Sequence, residues 1–220
     1  MATQTEHIPQ MERPPEALWH RVLAQPERAP ELIALAASDR FGPQAEEWVR
    51  TAGAGHSPEK LAKIAYRKHV RLARLEGGML GVGGVFTAAP DMVALIWIQS
   101  RMVFYIAAAY GYDPSHPMRP AELLALQGVY ATPQEARKAL DGMGKLMAQA
   151  MVEKALAGRS TEALHRRLVK YLAKRLARRY AGRLIPFIGA PLGAIHNAKA
   201  TKEVGQQALS YYQRPGTHGA

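Results

Sequence analysis

The sequence predicts an all-α protein, a compact multi-helix bundle with glycine-rich central helices and an N-terminal helical arm. Three observations predict it. No run of four to eight residues alternates apolar and polar between turn signals, so no strand is expected. Helix start and stop signals recur along the chain, at Ser57-Pro58-Glu59, Gly111 and Thr132-Pro133-Gln134-Glu135 among others. Hydrophobic residues make up 48% of the 220, ample for a core of packed helices.

The elements follow in order. Residues 1–56 read as an arm of short helices, because Pro9, Pro14, Pro15, Pro26, Pro30 and Pro43 divide the segment into pieces too short to be stable alone. Trp19, Leu23, Leu32, Leu35 and Trp48 are expected to dock these pieces on the main body, with the first dozen residues disordered. Ser57 then supplies a hydroxyl cap, Pro58 the first helical position and Glu59 an acid near the positive dipole end. The helix they open is predicted to end near Leu75. Leu75 to Asp91 is apolar and rich in small residues, and Asp91 to Tyr110 is a long apolar helix stopped by Gly111. After the loop YDPSHPMRP comes a short helix following Pro120. Thr132 and Glu135 form a capping box for the next one. Gly158 ends that helix, Ser160 caps a basic helix, and Pro186 opens PFIGAPLGAIHNAKA. The final helix reaches Tyr212, and residues 215–220 are a disordered tail.

Composition excludes several kinds of chemistry. With no cysteine, disulfides, thiolate catalysis and cysteine-ligated zinc are ruled out. MATQTEHIPQMERPP lacks a basic-then-apolar pattern, so the expected location is the cytoplasm, including the inner face of the cell membrane.

The formal charge is +11, and it is concentrated. Pro58–Glu76 carries +4 and Arg159–Arg183 carries +8, so the remainder of the chain carries −1. Lys60, Lys63, Arg67, Arg71 and Arg74 recur at helical spacing in one stripe. Arg166, Arg167, Lys170, Lys174 and Arg178 occupy about one third of a second helical wheel, opposite Leu164, Leu168, Leu172 and Leu176. A solvated surface face is the plain alternative. The sharper expectation is a docking surface for an anionic membrane or an acidic protein partner, each nearby Lys or Arg contributing about 1 kcal/mol at a membrane. Nucleic acid ranks below these, because no helix-turn-helix or zinc-finger pattern occurs and few aromatics interleave with the basic residues.

Small residues form a second pattern. Gly77 and Gly81, and Gly189 and Gly193, are each G-x-x-x-G, and Gly84 to Ala88 repeats the small-xxx-small spacing. Such spacing lets helix backbones approach closely. Gly77 to Ile98 has the length of a membrane span, but Pro90 and Asp91 interrupt it, and a central Asp costs roughly 2.5–3.5 kcal/mol on insertion. Close packing of the core is the preferred reading.

No motif names a reaction. Gly81-Val82-Gly83-Gly84 is not a dinucleotide fingerprint, because the sixth position is Phe86 and no strand precedes it. Neither a P-loop, a G-x-S-x-G elbow nor an H-E-x-x-H helix occurs. No cofactor and no metal are expected. Glu76, Asp91, Arg101, His196 and Asn197 are polar groups in apolar surroundings, and they are the candidate ligand-binding residues. Asp91 reads first as a helix cap, and Arg101 needs an acidic partner if buried, with Asp91 and Glu76 the candidates.

Two blocks carry a resemblance. Glu76-Gly77 leads into a glycine-rich run, then Pro90-Asp91, a long apolar helix and Tyr110-Gly111-Tyr112-Asp113. The second block runs from Ile185-Pro186 through Gly189, Gly193 and Asn197 to Ala208, Tyr212 and Arg214. In order and spacing these resemble the EcsC protein family, across a helical domain spanning 57–214. Pro191 departs from the pattern, since that position is usually small or branched. The resemblance implies a setting in membrane transport or envelope physiology, because the family takes its name from a protein encoded beside the subunits of an ABC transporter. It supplies no catalytic residues. The leading expectation is a non-catalytic, peripheral membrane protein or transport accessory. The alternatives are an apolar-ligand or lipid-binding module between the glycine-rich helices, and a hydrolase.

Overall fold

A computed structural model describes residues 12–80, 88–147, 166–172 and 194–214, without the side chains at 76–80, 88–91, 144–147 and 194–197. Every regular element among the described residues is helical, as an all-α chain requires. The expected disorder of the first dozen residues and of 215–220, the signals at Gly158, Ser160 and Pro186, and the spacings at Gly81, Gly84, Gly189 and Gly193 lie wholly or almost wholly outside the described residues.

Helix α1 (Glu16–Ala24) buries Leu18 and Val22, one turn apart, and a 3-10 turn at Pro26–Arg28 leads into α2 (Ala29–Ala52). This second helix corrects the reading of the N-terminal segment: it is 24 residues long and holds Pro43 in its interior. An interior proline removes a backbone hydrogen bond and costs about 3 kcal/mol. Burial on both sides of it offsets that cost. Leu32, Ile33, Ala37, Phe41, Ala45 and Trp48 all face the core, and each large side chain so placed contributes roughly 1.5–3 kcal/mol. Neighbouring Gly42 lets the loop after α4 close on the helix, because a Cβ there would stand 3.0 Å from Ser115 Oγ and 3.2 Å from the Pro114 carbonyl.

Helix α3 (Pro58–Leu80) starts where the sequence places it, with the Lys60 amide donating to Ser57 Oγ at 3.3 Å. It runs on past Leu75 through Gly77 and Gly78. A glycine costs a helix only about 1 kcal/mol and does not by itself end one. Helix α4 (Ala88–Ala109) includes Asp91 within its span, rather than placing it ahead as a cap. Gly111, at φ +83°, closes α4: its amide bonds Ala108 O at 2.9 Å and the Tyr112 amide bonds Ala107 O at 3.1 Å. That pair of bonds is a Schellman stop. Gly128, at φ +72°, ends α5 (Arg119–Leu126) in the same way. Helix α6 (Pro133–Met147) opens on the predicted capping box, the Glu135 amide donating to Thr132 Oγ1 at 3.2 Å. The returning bond comes from the amide of Ala131, one residue before the cap, which donates to Glu135 Oε2 at 3.3 Å. Residues 166–172 are helical, and α7 (Ala194–Tyr212) is last.

Helix α4 is the axis of the bundle. It packs against α2, α3 and α7, while α5 lies on α2 and α6 on α5. Rings of α2 and α4 meet at two levels, Phe41–Trp97 at 4.7 Å and Trp48–Tyr105 at 5.2 Å, so these helices run in the same direction. From Ile96 to Ala109 every residue of α4 is buried, the pattern of a helix apolar all round. By length and composition Met92–Ala109 could cross a membrane, at a mean hydropathy of 1.6, but 94% of it is covered by the rest of the fold. Close approach of helices through glycine occurs at a position the sequence spacing does not single out. A Cβ on Gly205 of α7 would lie 2.5 Å from the Tyr66 ring and 3.0 Å from Met102 Cε, so only glycine lets α7 sit this near α3 and α4.

Candidate functional site

Helix α3 has two faces of different chemistry. Leu61, Ala62, Ala65, His69 and Ala73 are buried against the bundle. Lys60, Lys63, Arg67, Arg71 and Arg74 are all exposed. At 100° and 1.5 Å per residue the five cations fall within an arc of about 80° and extend along roughly 21 Å of helix. None of them makes an ion pair with a described residue. The contrast with other surface arginines is direct: Arg50 pairs with Glu47 at 2.7 Å, Arg137 with Asp141 at 2.7 Å, and Arg40 with Glu12. The α3 stripe has no such acids at i±3 or i±4 on its own helix, apart from Glu59 four residues before Lys63.

The second basic helix is described over 166–172. Arg166, Arg167 and Lys170 are exposed there, while Leu168 and Leu172 are buried in the core. Arg167 approaches Glu27 at 3.8 Å, a long contact between partly exposed side chains. Lys174 and Arg178 lie outside the described residues.

The five candidate ligand residues are distributed over three helices, Glu76 on α3, Asp91 and Arg101 on α4, and His196 and Asn197 on α7. Of these, only the side chain of Arg101 is described. It is buried, with its guanidinium carbon 5.6 Å from the Phe41 ring centroid and 5.3 Å from that of Tyr105. Two aromatic faces thus take up part of the charge, in a setting where such contacts are worth about 2 kcal/mol.

Three buried polar centres are missed by the sequence reading. The largest joins Arg119 and Glu122 of α5 to Tyr212 of α7. Arg119 is ion-paired to Glu122, and its Nε donates to the Asp113 carbonyl at 3.0 Å. The Tyr212 hydroxyl donates to Glu122 Oε2 at 2.7 Å. The guanidinium also lies over the rings of Tyr112 and Tyr212, at 5.2 and 5.7 Å. Burial and the Glu122 charge push the phenols of Tyr211 and Tyr212 well above their ordinary range. Burial alone would lower the Arg119 guanidinium, but Tyr212 and Glu122 outweigh it and hold the charge. The local part of this centre is readable as an i,i+3 pair of opposite charge at a helix start. The second centre is Glu31 of α2, which accepts from the Tyr130 hydroxyl.

The third is His69. Its Nδ1 faces the Ala65 carbonyl at 2.7 Å, its ring meets Tyr105 edge-on at 5.5 Å, and its Nε2 has no hydrogen-bond partner among the described residues. Burial, with Arg101 and Lys68 nearby, drives its pKa down to about 3, so the imidazole is neutral. Among the described residues no three of His, Asp and Glu are grouped so as to hold a metal ion.

Comparison with known proteins gives a family and, over a short stretch, a relative. The model of the EcsC protein family matches residues 56–214. The uncharacterised protein YdbA of Bacillus subtilis strain 168 is 38% identical over 56 residues, which are 26% of this chain and 21% of that protein. The chain thus matches about a fifth of the length of that curated relative. No solved structure matches.

Proposed function

Since this chain belongs to the EcsC protein family, we propose that it is a non-catalytic helical protein that docks on the anionic inner face of the cell membrane through α3, as an accessory to transport there. One observation carries this reading: five exposed cations in a single arc of α3, without ion pairs to described residues. Like charges gathered on one face set up a directed field, whereas the paired arginines of α2 and α6 cancel locally. Five residues at about 1 kcal/mol each supply up to about 5 kcal/mol at an anionic bilayer. The charges lie on the face opposite the buried one, so docking leaves the bundle intact. Helix α4, apolar but packed inside, plays the part of core in this reading.

Co-sedimentation with vesicles tests it. The full chain is expected to pellet with phosphatidylserine-containing vesicles at low salt and to be released at about 0.5 M salt, where the Debye length falls to a few ångströms. It should ignore pure phosphatidylcholine. The triple substitution Lys63→Glu, Arg67→Glu and Arg71→Glu should abolish pelleting while the helical circular-dichroism signal stays unchanged. Equal binding to neutral and anionic vesicles overturns the reading, as does no binding to either. So does tighter binding to RNA or duplex DNA than to anionic vesicles.

A further inference from the structure

Two large hydrophobic side chains are exposed among the described residues, Leu75 at 56% and Tyr171 at 38%. An isolated exposed leucine is ordinary. Here the two occupy the same place relative to charge. Leu75 follows Arg74 directly and stands four residues after Arg71; Tyr171 follows Lys170 directly and stands four residues after Arg167. On a helix the i and i+4 side chains are neighbours on one face. Each basic helix therefore sets its exposed apolar group beside a cation, one turn along the same flank. On α3 the five cations cover an arc of about 80°, and Leu75 lies about 40° beyond Arg71 at the C-terminal end.

From this repeated placement we infer that Leu75 and Tyr171 are apolar anchors that enter an anionic bilayer interface while the neighbouring cations hold the phosphates. The inference rests on the membrane-docking reading and adds depth and orientation to it. Helix α3 lies along the surface with its Leu75 end lowest. The leucine enters the acyl boundary, and the tyrosine stays at headgroup level, where its ring is half apolar and its hydroxyl wet. Charge complementarity selects the anionic bilayer as occupant: an apolar protein groove would accept Leu75 but would leave Arg71 and Arg74 facing low dielectric without partners.

The absence of cysteine makes the test clean, since Leu75→Cys or Tyr171→Cys is a unique labelling site in the chain. An environment-sensitive fluorophore at either position should shift to the blue on phosphatidylserine vesicles. A spin label on the acyl chain should quench it at 75 more than at 171, and a fluorophore at exposed Gln134→Cys should respond to neither. Leu75→Asn should weaken binding about tenfold at each salt concentration at which the unmodified chain binds, the fraction of a leucine's full burial that its exposed half represents. Loss through charge reversal should instead depend steeply on salt. If the unmodified chain fails to bind anionic vesicles, both the docking reading and the anchors fall. If it binds with full salt dependence but Leu75→Asn binds equally well, or the fluorophore at 75 does not shift, docking stands and the anchors fall.

Discussion

Arg119 and Arg67 carry the same guanidinium in opposite surroundings. Arg119 is 2% exposed and meets Glu122, the Asp113 carbonyl and two tyrosine rings. Arg67 stands in solvent with Lys63 and Arg71 one turn to either side and has no ion pair to a described residue. A cation withdrawn from water loses hydration worth several kcal/mol and persists only where charge and hydrogen bonds replace it. An exposed one keeps its hydration, so it can stand beside its like at little cost. The buried Arg119–Glu122 pair is architectural and ties α5 to α7 through Tyr212, whereas the exposed cations of the α3 stripe keep their charge in solvent. Breaking either side of this contrast has a calculable outcome.

The largest effect is expected in the buried centre. Glu122→Gln keeps an acceptor for Tyr212 but leaves Arg119 buried without a countercharge, and such losses cost about 3–5 kcal/mol. Urea unfolding at neutral pH would show the midpoint fall accordingly. Replacing both partners, Arg119→Met with Glu122→Leu, should recover most of that loss, because the uncompensated charge goes as well. If the double variant were no more stable than Glu122→Gln, the centre would owe its stability to packing rather than to charge.

An intermediate effect is expected from the inner face of α3. His69 is neutral in the folded protein, with its pKa down at about 3 against an ordinary 6.5. The unfolded chain takes up this proton as pH falls below about 6.5 and the folded one does not, so stability is complete above that pH and declines between 6.5 and 3. At about 1.4 kcal/mol per pH unit, roughly 2–3 kcal/mol is lost by pH 4.5. His69→Leu should unfold within about 1 kcal/mol of the natural chain at pH 7.5 and be clearly more stable than it at pH 4.5. Parallel decline of both proteins with pH would assign the acid sensitivity to other groups.

These centres also mark where the sequence stops being legible. Helix caps and stops are local, so Ser57, Gly111 and Thr132 announce themselves within four residues of what they do. The stripe on α3 is legible for the same reason, since spacing along one helix fixes which side chains share a face. Pro43 misleads because the rule for proline is local while the burial of Phe41 and Trp48 around it is tertiary. Glu122 and Tyr212 are 90 residues apart, and nothing in either neighbourhood names the other. His69 sits among Arg67, Lys68 and Arg71 in sequence, although the helical wheel places it about 160° from the middle of the stripe. The close contact at Gly205 escapes because one glycine without a spaced partner gives no pattern to read.

The smallest effect bears most directly on function, because its sign runs against the usual one. Arg67 has like charges at i−4 and i+4, Lys63 and Arg71, and each such pair destabilises a helix by roughly 0.2–0.5 kcal/mol. Arg67→Glu converts two repulsions into two attractions, so the folded protein should gain about 0.8–2 kcal/mol, a rise of roughly 2–8 °C in Tm for a chain of this length. The same substitution should weaken binding to phosphatidylserine vesicles by well over tenfold, since a contributing cation becomes a repelled anion. A surface arranged only for solvation would gain that stability at no loss. Gain in Tm with loss of vesicle binding identifies α3 as a face that gives up stability for an external partner; gain in Tm with unchanged binding would mean that the stripe faces nothing but water.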